Sequence, residues 1–98
     1  MFKKMKKVQT SAPKLVSFKP MELAESRTIA KQLLFGNVVL VDFSDTPAAL
    51  SVRIVDFISG MLLAVEGDYR KIAPKLFLLS TDKEASDKIE AEIKAKNE

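Results

Sequence analysis

Apolar and polar positions along the first half of the chain follow two spacings, one typical of strands and one typical of helices. Residues 14–20 mix apolar with polar positions as a short strand does, and residues 20–36 carry a broad apolar stripe at helical spacing that ends at a glycine. Residues 38–43 are apolar on both faces, which is typical of a central strand covered on both sides. The pattern therefore predicts a strand, a helix and a buried strand, in that order.

The second half of the chain predicts a long helix, a hairpin and a charged helix. The long helix is expected over residues 47–65, with Asp45 or Thr46 as its cap. Two short stretches, "YRKI" and "LFLL", then have the character of strands and predict a hairpin. Thr81 and Glu84 form a capping box for the last helix. Its apolar stripe is narrow, so we expect this helix to be marginal and partly frayed.

The element order β-α-β-α-β-β-α indicates the α/β class. Crossover connections are right-handed and lay their helices on a sheet. We therefore expect a compact two-layer α/β sandwich, with two helices packed on a mixed sheet and a further helix at the C terminus. The predicted organisation is a basic, weakly amphipathic tail over residues 1–12, an α/β core over 13–82 and a charged helix over 83–98.

The predicted second helix has an apolar side for the core and an outer side that carries a glycine. At 100° per residue, the core arc contains Leu50, Ile54, Phe57, Ile58, Met61 and Val65. The outer side contains Val52, Asp56, Ser59, Gly60 and Leu63. Glycine costs a helix about 1 kcal/mol relative to alanine, so another element is expected to approach closely there. That element is either a loop or the first helix of the same chain, or a second copy in a symmetric helix–helix contact.

Charged residues are distributed unevenly over the 98 residues, and two reactive residue types are missing. The net charge is +3, but residues 1–14 hold five lysines and no acid, so the rest of the chain is slightly acidic and lacks the basic face of a nucleic-acid-binding domain. There is no cysteine and no histidine, which excludes disulfides, Cys/His zinc sites and His-based triads. We therefore expect no metal, no cofactor and no enzymatic activity. No secretory signal or membrane-spanning run is visible, which favours a cytoplasmic protein.

The N-terminal tail has two interpretations. Plotted as a helix, it separates apolar from basic residues, with Phe2 and Met5 on one side and Lys3, Lys4, Lys6 and Lys7 on the other. This arrangement suits a weak contact with an anionic lipid surface. A segment of this length is too short for a stable helix in water, so a disordered basic tail is the alternative. A basic arm also suits a small nucleic-acid-binding module, the second function that we consider.

The stretch RIVDFISGMLLAVEGDYRKIAPKLFLLST, preceded by AKQLLFGN and VVLVDF, resembles the core of the SepF family of cell-division proteins over residues 15–82. The resemblance implies an α/β sandwich that forms homodimers, with Gly60 in a helix-mediated contact. It also implies a non-enzymatic adaptor that binds the C-terminal tail of FtsZ and anchors the division ring at the inner face of the cell membrane during septum assembly. Family members usually carry a membrane-binding helix and a linker before the core. The dozen residues before Pro13 therefore suit a shorter, archaeal-type member or a shortened chain.

The resemblance further implies a pocket for the FtsZ peptide near the dimer interface. Lys71 and Phe77 match the lysine and the phenylalanine with which family members contact that peptide. The residues of the hairpin support such a site, because Arg70, Lys71 and Lys75 provide a basic rim beside an apolar face.

Phe77 also has a simpler interpretation, since a strand aromatic more often belongs to the core. Alternation along the strand places Phe77 and Leu79 on one face and Leu76 and Leu78 on the other. We therefore expect Leu76 and Leu78 to fill the core and to leave Phe77 for the peptide.

Overall fold

The computed structural model describes residues 13–96, which form four strands and three helices. Their bounds are β1 Leu15–Phe18, α1 Glu25–Leu34, β2 Val38–Asp42, α2 Ala48–Ala64, β3 Asp68–Ala73, β4 Leu76–Ser80 and α3 Lys83–Lys96. The α/β class and the predicted order β-α-β-α-β-β-α are confirmed. The N-terminal tail, with its predicted lipid contact, lies outside the described residues.

β2 and β4 form the centre of a four-stranded mixed sheet with the order β1-β2-β4-β3. β1 runs parallel to β2, and both β2 and β3 pair with β4 in the antiparallel sense. Val38, Val39 and Val41 are completely buried, as expected for a central strand that is covered on both faces. β1 and β3 are the edge strands, so one side of β3 has no strand partner among the described residues.

The main core lies between one face of the sheet and the helices α1 and α2. It contains Ile29 and Leu33 of α1, Ile54, Ile58 and Leu62 of α2, and Val39, Val41 and Leu79 of the sheet. The three residues of α2 are spaced four apart and therefore lie one above the other along its inner side. The opposite side of α2 is left facing outward.

One residue of the predicted core arc lies elsewhere. Phe57 is 45% exposed, and Leu62 is buried in the main core instead. The inner side of α2 is centred on the line from Ile54 to Leu62, so Phe57 falls at its margin. There it borders a cleft together with Leu23, which precedes α1.

α1 begins at Glu25, later than predicted, and the caps of the other two helices also differ from the prediction. Pro47 is the N-cap of α2 without a side-chain bond, and the Thr46 hydroxyl donates instead to a carbonyl between β1 and α1 at 2.6 Å. At α3, Oδ1 of Asp82 accepts the N–H of Glu84 at 3.0 Å, so Asp82 takes the place of Thr81 as the cap. The predicted caps are therefore wrong. Thr46 bonds across the fold and Asp45 pairs with Lys19, so neither caps α2, and Asp82 stands one residue nearer to α3 than Thr81.

α3 covers the other face of the sheet and adds a layer to the predicted two-layer core. Leu78 and Ser80 point to this face, and Ser86 of α3 is completely buried against it. The hydroxyl oxygens of Ser80 and Ser86 are 2.7 Å apart. The apolar stripe of α3 is only half-buried, and it consists of Ala85, Ile89 and Ile93.

Candidate functional site

A groove, which we call the hairpin groove, runs between α2 and the β3–β4 hairpin. Its inner part is a narrow apolar slot of about 30 Å³, and its outer part is an open cleft of about 290 Å³. Phe43, Val55 and Phe77 line both parts. The slot is also lined by Val41, Ile58, Ser59, Leu62, Tyr69 and Leu79, and the cleft by Ser51, Val52, Asp56, Lys71 and Lys75. An apolar floor with a charged rim is the usual chemistry of a peptide groove.

Phe77 lies where the slot meets the cleft. Its ring contacts that of Phe43 edge to face, with centroids 5.7 Å apart and planes at 72°, a favourable aromatic geometry. In the sheet, Phe77 stands between Val41 of β2 and Lys71 of β3. The side chain is half-buried and packs against the main core. Phe77 therefore both contacts the main core and lines the hairpin groove.

The two faces of the hairpin alternate as predicted, but the main core lies on the face that was expected to be free. Leu79, on the same face as Phe77, is buried in the main core. Leu78 is completely buried on the opposite face, beneath α3. The expectation that Leu76 and Leu78 fill the core without Phe77 is therefore wrong, because α1 and α2 pack on the face of Phe77.

Lys71 shares a face of the sheet with Phe77, because the two residues stand opposite each other in the β3–β4 pairing. Its side chain is exposed at the open cleft. Lys75 lies at the hairpin turn in the left-handed region, with φ of 62°, and borders the same cleft. Asp56 of α2 completes this rim. Two cations against one anion favour an acidic ligand segment.

Arg70 lies outside the hairpin groove. Neighbouring side chains of a strand point to opposite faces, so Arg70 points away from Lys71 and towards α3. Its Nη2 is 2.8 Å from Asp68, and its Nη1 is 2.8 Å from Asp87 and 3.0 Å from Glu90. The bonds to Asp87 and Glu90 raise the pKa of Arg70 above its usual value, and Arg70 lowers the pKa of both carboxyls. The structure thus brings Lys71 and Phe77 together but separates them from Arg70.

The outward side of α2, which we call the α2 face, consists of Val52, Asp56, Ser59, Gly60 and Leu63. Val52 is 59% exposed and Leu63 is 81% exposed. Apart from its chain neighbours and the backbone of its own helix, a Cβ added at Gly60 would meet no described atom within 4 Å. Among the described residues, neither a loop nor α1 approaches this glycine closely, so an internal contact does not account for it.

The α2 face and the hairpin groove share residues. Val52 and Asp56 line the open cleft, and Ser59 lines the slot. A molecule bound to the α2 face would therefore border the groove.

Sequence reasoning missed three residues in the walls of the groove, of which one lies on the basic strand and two lie outside it. Val55 stands one turn before Ser59 on α2, and Phe43 follows the end of β2. Tyr69 is 57% exposed and lies two residues before Lys71, so strand alternation alone places both on one face. That signal was available, whereas the approach of Val55 depends on how α2 lies on the sheet.

No group of three or more potential metal-binding side chains occurs within residues 13–96. The same residues contain no helix with the length and hydrophobicity needed to cross a membrane. Every buried side-chain nitrogen or oxygen in this part of the chain has a hydrogen-bond partner.

Known proteins match the chain over the elements that form these sites. The family model of Cell division protein SepF matches residues 15–83. A Cell division protein SepF from Rhodococcus erythropolis is 39% identical over 67 residues, which cover 68% of this chain and 31% of that protein. The one from Limosilactobacillus reuteri is 36% identical over 61 residues, which cover 62% of this chain and 44% of that protein. The one from Mycobacterium leprae is 36% identical over 67 residues, or 68% of this chain and 32% of that protein.

The chain spans less than half the length of these curated relatives. The matched segment begins at β1 and ends at the start of α3, so it includes the whole hairpin groove and the α2 face. Because the family model covers most of the chain, the chain belongs to the SepF family of cell-division proteins.

Proposed function

We propose that this chain is a non-enzymatic adaptor of cell division that binds the C-terminal tail of FtsZ in the hairpin groove. It self-associates through the α2 face and helps to tether the division ring to the inner face of the cell membrane during septum assembly. The observation that carries the proposal is the placement of Lys71 opposite Phe77 at one open cleft. Membership of the SepF family supports the role in division.

The groove is suited to a peptide that is partly apolar and partly acidic. Apolar side chains of such a peptide bury against Phe43 and Phe77, while its carboxylates face Lys71 and Lys75. A slot of about 30 Å³ holds about one methyl group, so most of the ligand lies in the open cleft of about 290 Å³. Apolar burial supplies the affinity, and the lysines mainly steer and orient the peptide.

Self-association is supported by the exposure of the α2 face. Large apolar side chains such as Leu63 and Val52 gain most by leaving water, and Gly60 between them allows another backbone to come close. A symmetric dimer carries two hairpin grooves beside one interface. An FtsZ polymer that displays many tails then binds both grooves with the advantage of high effective concentration.

The N-terminal tail is proposed as the membrane contact. A dimer presents two copies of Phe2 and Met5 and of the lysines at positions 3, 4, 6 and 7, so two weak lipid contacts act together. Deleting residues 1–7 should lower co-sedimentation with anionic liposomes. Unchanged sedimentation would remove the lipid role from the proposal.

A titration with a fluorescent FtsZ tail peptide tests the groove. Lys71→Glu should weaken binding by roughly tenfold, and more at low salt, because it reverses a charge at the rim. Lys31→Glu makes the same change at an exposed position of α1 and is the matched control. A random oligonucleotide is titrated in parallel. Tighter binding of the oligonucleotide, or equal peptide binding by the parent and Lys71→Glu, would reject the groove in favour of the nucleic-acid alternative or another site.

A further inference from the structure

α3 rests on the sheet with few apolar contacts. Of its 14 residues, Ser86 is the one that is fully buried, and Ala85, Ile89 and Ile93 are half-buried. Helices in proteins gain most of their stability by packing an apolar face, and the face of α3 is narrow. Polar contacts must therefore contribute much of what holds α3 on the sheet.

Arg70 makes the charged connection between the sheet and α3. Its side chain is 21% exposed, and its Nη1 donates to Asp87 at 2.8 Å and to Glu90 at 3.0 Å. Its Nε donates to Asp68 on its own strand at 2.9 Å, which fixes the orientation of the guanidinium. One guanidinium thus binds three carboxylates, one on its own strand and two on α3. Charge-assisted bonds in such a partly buried geometry are stronger than ordinary exposed ion pairs.

The other polar contacts of α3 do not replace this connection. Lys83 and Lys94 pair with acids four residues away within α3 and leave the sheet untouched. The hydroxyl pair of Ser80 and Ser86 does join strand and helix, but it is neutral and lies at the start of α3. Without Arg70, no cation would stand between Asp68 on the strand and the two acids of α3, so its loss removes an attraction and leaves a repulsion that Lys83 and Lys94 offset only in part.

Arg70 belongs to the edge strand that also forms a wall of the hairpin groove. Tyr69 and Lys71, on either side of Arg70, point to the opposite face and line the slot and the cleft respectively. β3 has β4 as its neighbour in the sheet, and their register shifts between Lys71 and Ala73. The position of this edge therefore depends on contacts from outside the sheet, and Arg70 provides one.

We propose that α3 is a cover that Arg70 holds closed, and that this closure positions the wall of the hairpin groove formed by Tyr69 and Lys71. α3 opens as a unit about its connection to β4, while α1, α2 and the sheet stay folded. Arg70 is thus a positioning residue that does not touch the peptide. The second part of the inference rests on the proposed function, whereas the first part does not.

Hydrogen–deuterium exchange of the full chain tests the cover without any ligand. Arg70→Gln should raise exchange in α3 by roughly tenfold or more, as expected for the loss of a charge-assisted hydrogen bond. Exchange in α1 and β2 should keep the rates of the parent. Arg53→Gln changes an exposed arginine of α2 and is the matched control, so it should leave α3 as protected as in the parent.

A second set of variants keeps the test valid if Arg70→Gln folds poorly. The double variant Asp87→Asn with Glu90→Gln removes the same contacts from the side of α3 and should open it to a similar extent. Arg70→Lys retains a cation and should restore part of the protection. Parent-like exchange of α3 in both Arg70→Gln and the double variant would overturn the cover. A uniform rise in exchange over the whole chain would overturn it too, because α3 would then not open as a unit.

Titration of the FtsZ tail peptide at two salt concentrations tests the positioning role. Arg70→Gln should weaken binding several-fold and keep the salt dependence of the parent, whereas Lys71→Gln should reduce that dependence. Parent-like affinity of Arg70→Gln with an open α3 would overturn the positioning role, and a reduced salt dependence would show direct contact instead. Absence of peptide binding by the parent would reject the proposed function and leave the exchange result intact.

Discussion

Gly60 and Gly67 are only seven residues apart in the sequence, yet their surroundings are opposite. A Cβ at Gly60 would meet no described atom within 4 Å other than its chain neighbours and the backbone of its own helix. A Cβ at Gly67 would lie 2.6 Å from Cδ2 of Leu62 and 2.9 Å from the carbonyl oxygen of Ser80. The fold therefore requires a glycine at position 67, where the chain passes from α2 into β3. At position 60, the described part of a single protomer gives no such reason.

Gly67→Ala should lower the free energy of unfolding by about 1–3 kcal/mol, because the Ser80 carbonyl belongs to β4 and cannot move as a side chain can. Gly60→Ala is the control, and it should stabilise the helix by up to about 1 kcal/mol. Urea denaturation of both variants measures the difference. Equal stabilities for the two variants would contradict this account of Gly67.

Phe77→Ala should lower the free energy of unfolding by about 2–4 kcal/mol, less than a fully buried phenylalanine, and should abolish peptide binding in the protein that remains folded. The reason is that the ring both packs on the main core and lines the hairpin groove. Thermal circular dichroism and peptide titration measure the two effects. Phe35→Ala removes a ring that is 52% exposed and serves as the control. Complete unfolding of Phe77→Ala, or parent-like binding, would place the peptide site elsewhere.

At the scale of elements, hydrophobic spacing predicted the kind and order of every strand and helix, because each carries its own period. The spacing did not predict which faces of the strands and helices pack against one another. Arg70 and Lys71 were grouped into one basic rim because they are adjacent, although strand alternation sends them to opposite faces. Phe57 is predicted in the core because a helical wheel shows which side of α2 is apolar. It does not show how much of that side the neighbouring helix covers. The covering of one sheet face by α3 is a tertiary contact that no local pattern contains.

The attachment of α3 should depend on pH in the acidic range. Arg70 holds the pKa of Asp87 and of Glu90 below their usual ranges. A carboxyl with a depressed pKa in the folded state stabilises that state above its unfolded pKa of about 4, and the contribution is lost as the pH falls through the folded pKa. Asp68 faces the same guanidinium from β3. We therefore expect α3 to stay closed between about pH 7 and 5 and to open below about 4.

Amide resonances of α3, followed by NMR from pH 7 to pH 3, measure this opening. Arg70 stays charged throughout this range, so the transition reports on the carboxyls of Asp87 and Glu90. The Arg70→Gln variant should show a weaker acid transition, because its Asp87 and Glu90 no longer bind the arginine that joins them to the sheet. Identical pH profiles for parent and variant would contradict the view that the acid-induced opening of α3 results from the loss of its contacts with Arg70.

At the scale of the whole molecule, α2 connects the two proposed interactions. Val52 and Asp56 belong to the α2 face and also line the open cleft of the hairpin groove. If a second copy packs on α2, it changes the surroundings of the groove, and peptide binding and self-association become linked. Such linkage is reciprocal, so each event must change the affinity of the other by the same factor.

Gly60→Lys should give a folded protein of lower mass than the parent. The space around position 60 accepts a side chain within one protomer, but a lysine that is buried unpaired against a second copy is costly. Multi-angle light scattering measures the mass. Thr28→Lys adds the same charge at an exposed position of α1 and should keep the parent's assembly state. A parent-like mass for Gly60→Lys would separate the glycine from self-association.

The central pairing of β2 with β4 joins residues that are about 40 positions apart, such as Val39 and Leu79. Closing a loop of that length costs conformational entropy, and the favourable free energy of the contacts is gained only afterwards. This pairing is therefore expected to limit the rate of folding. The β3–β4 hairpin is local and forms much sooner. Its Phe77 and Leu79 nevertheless have nothing to pack on until β2 and α2 arrive. Groove and core are therefore completed in one step, and a chain still leaving the ribosome has no hairpin groove until β4 has emerged.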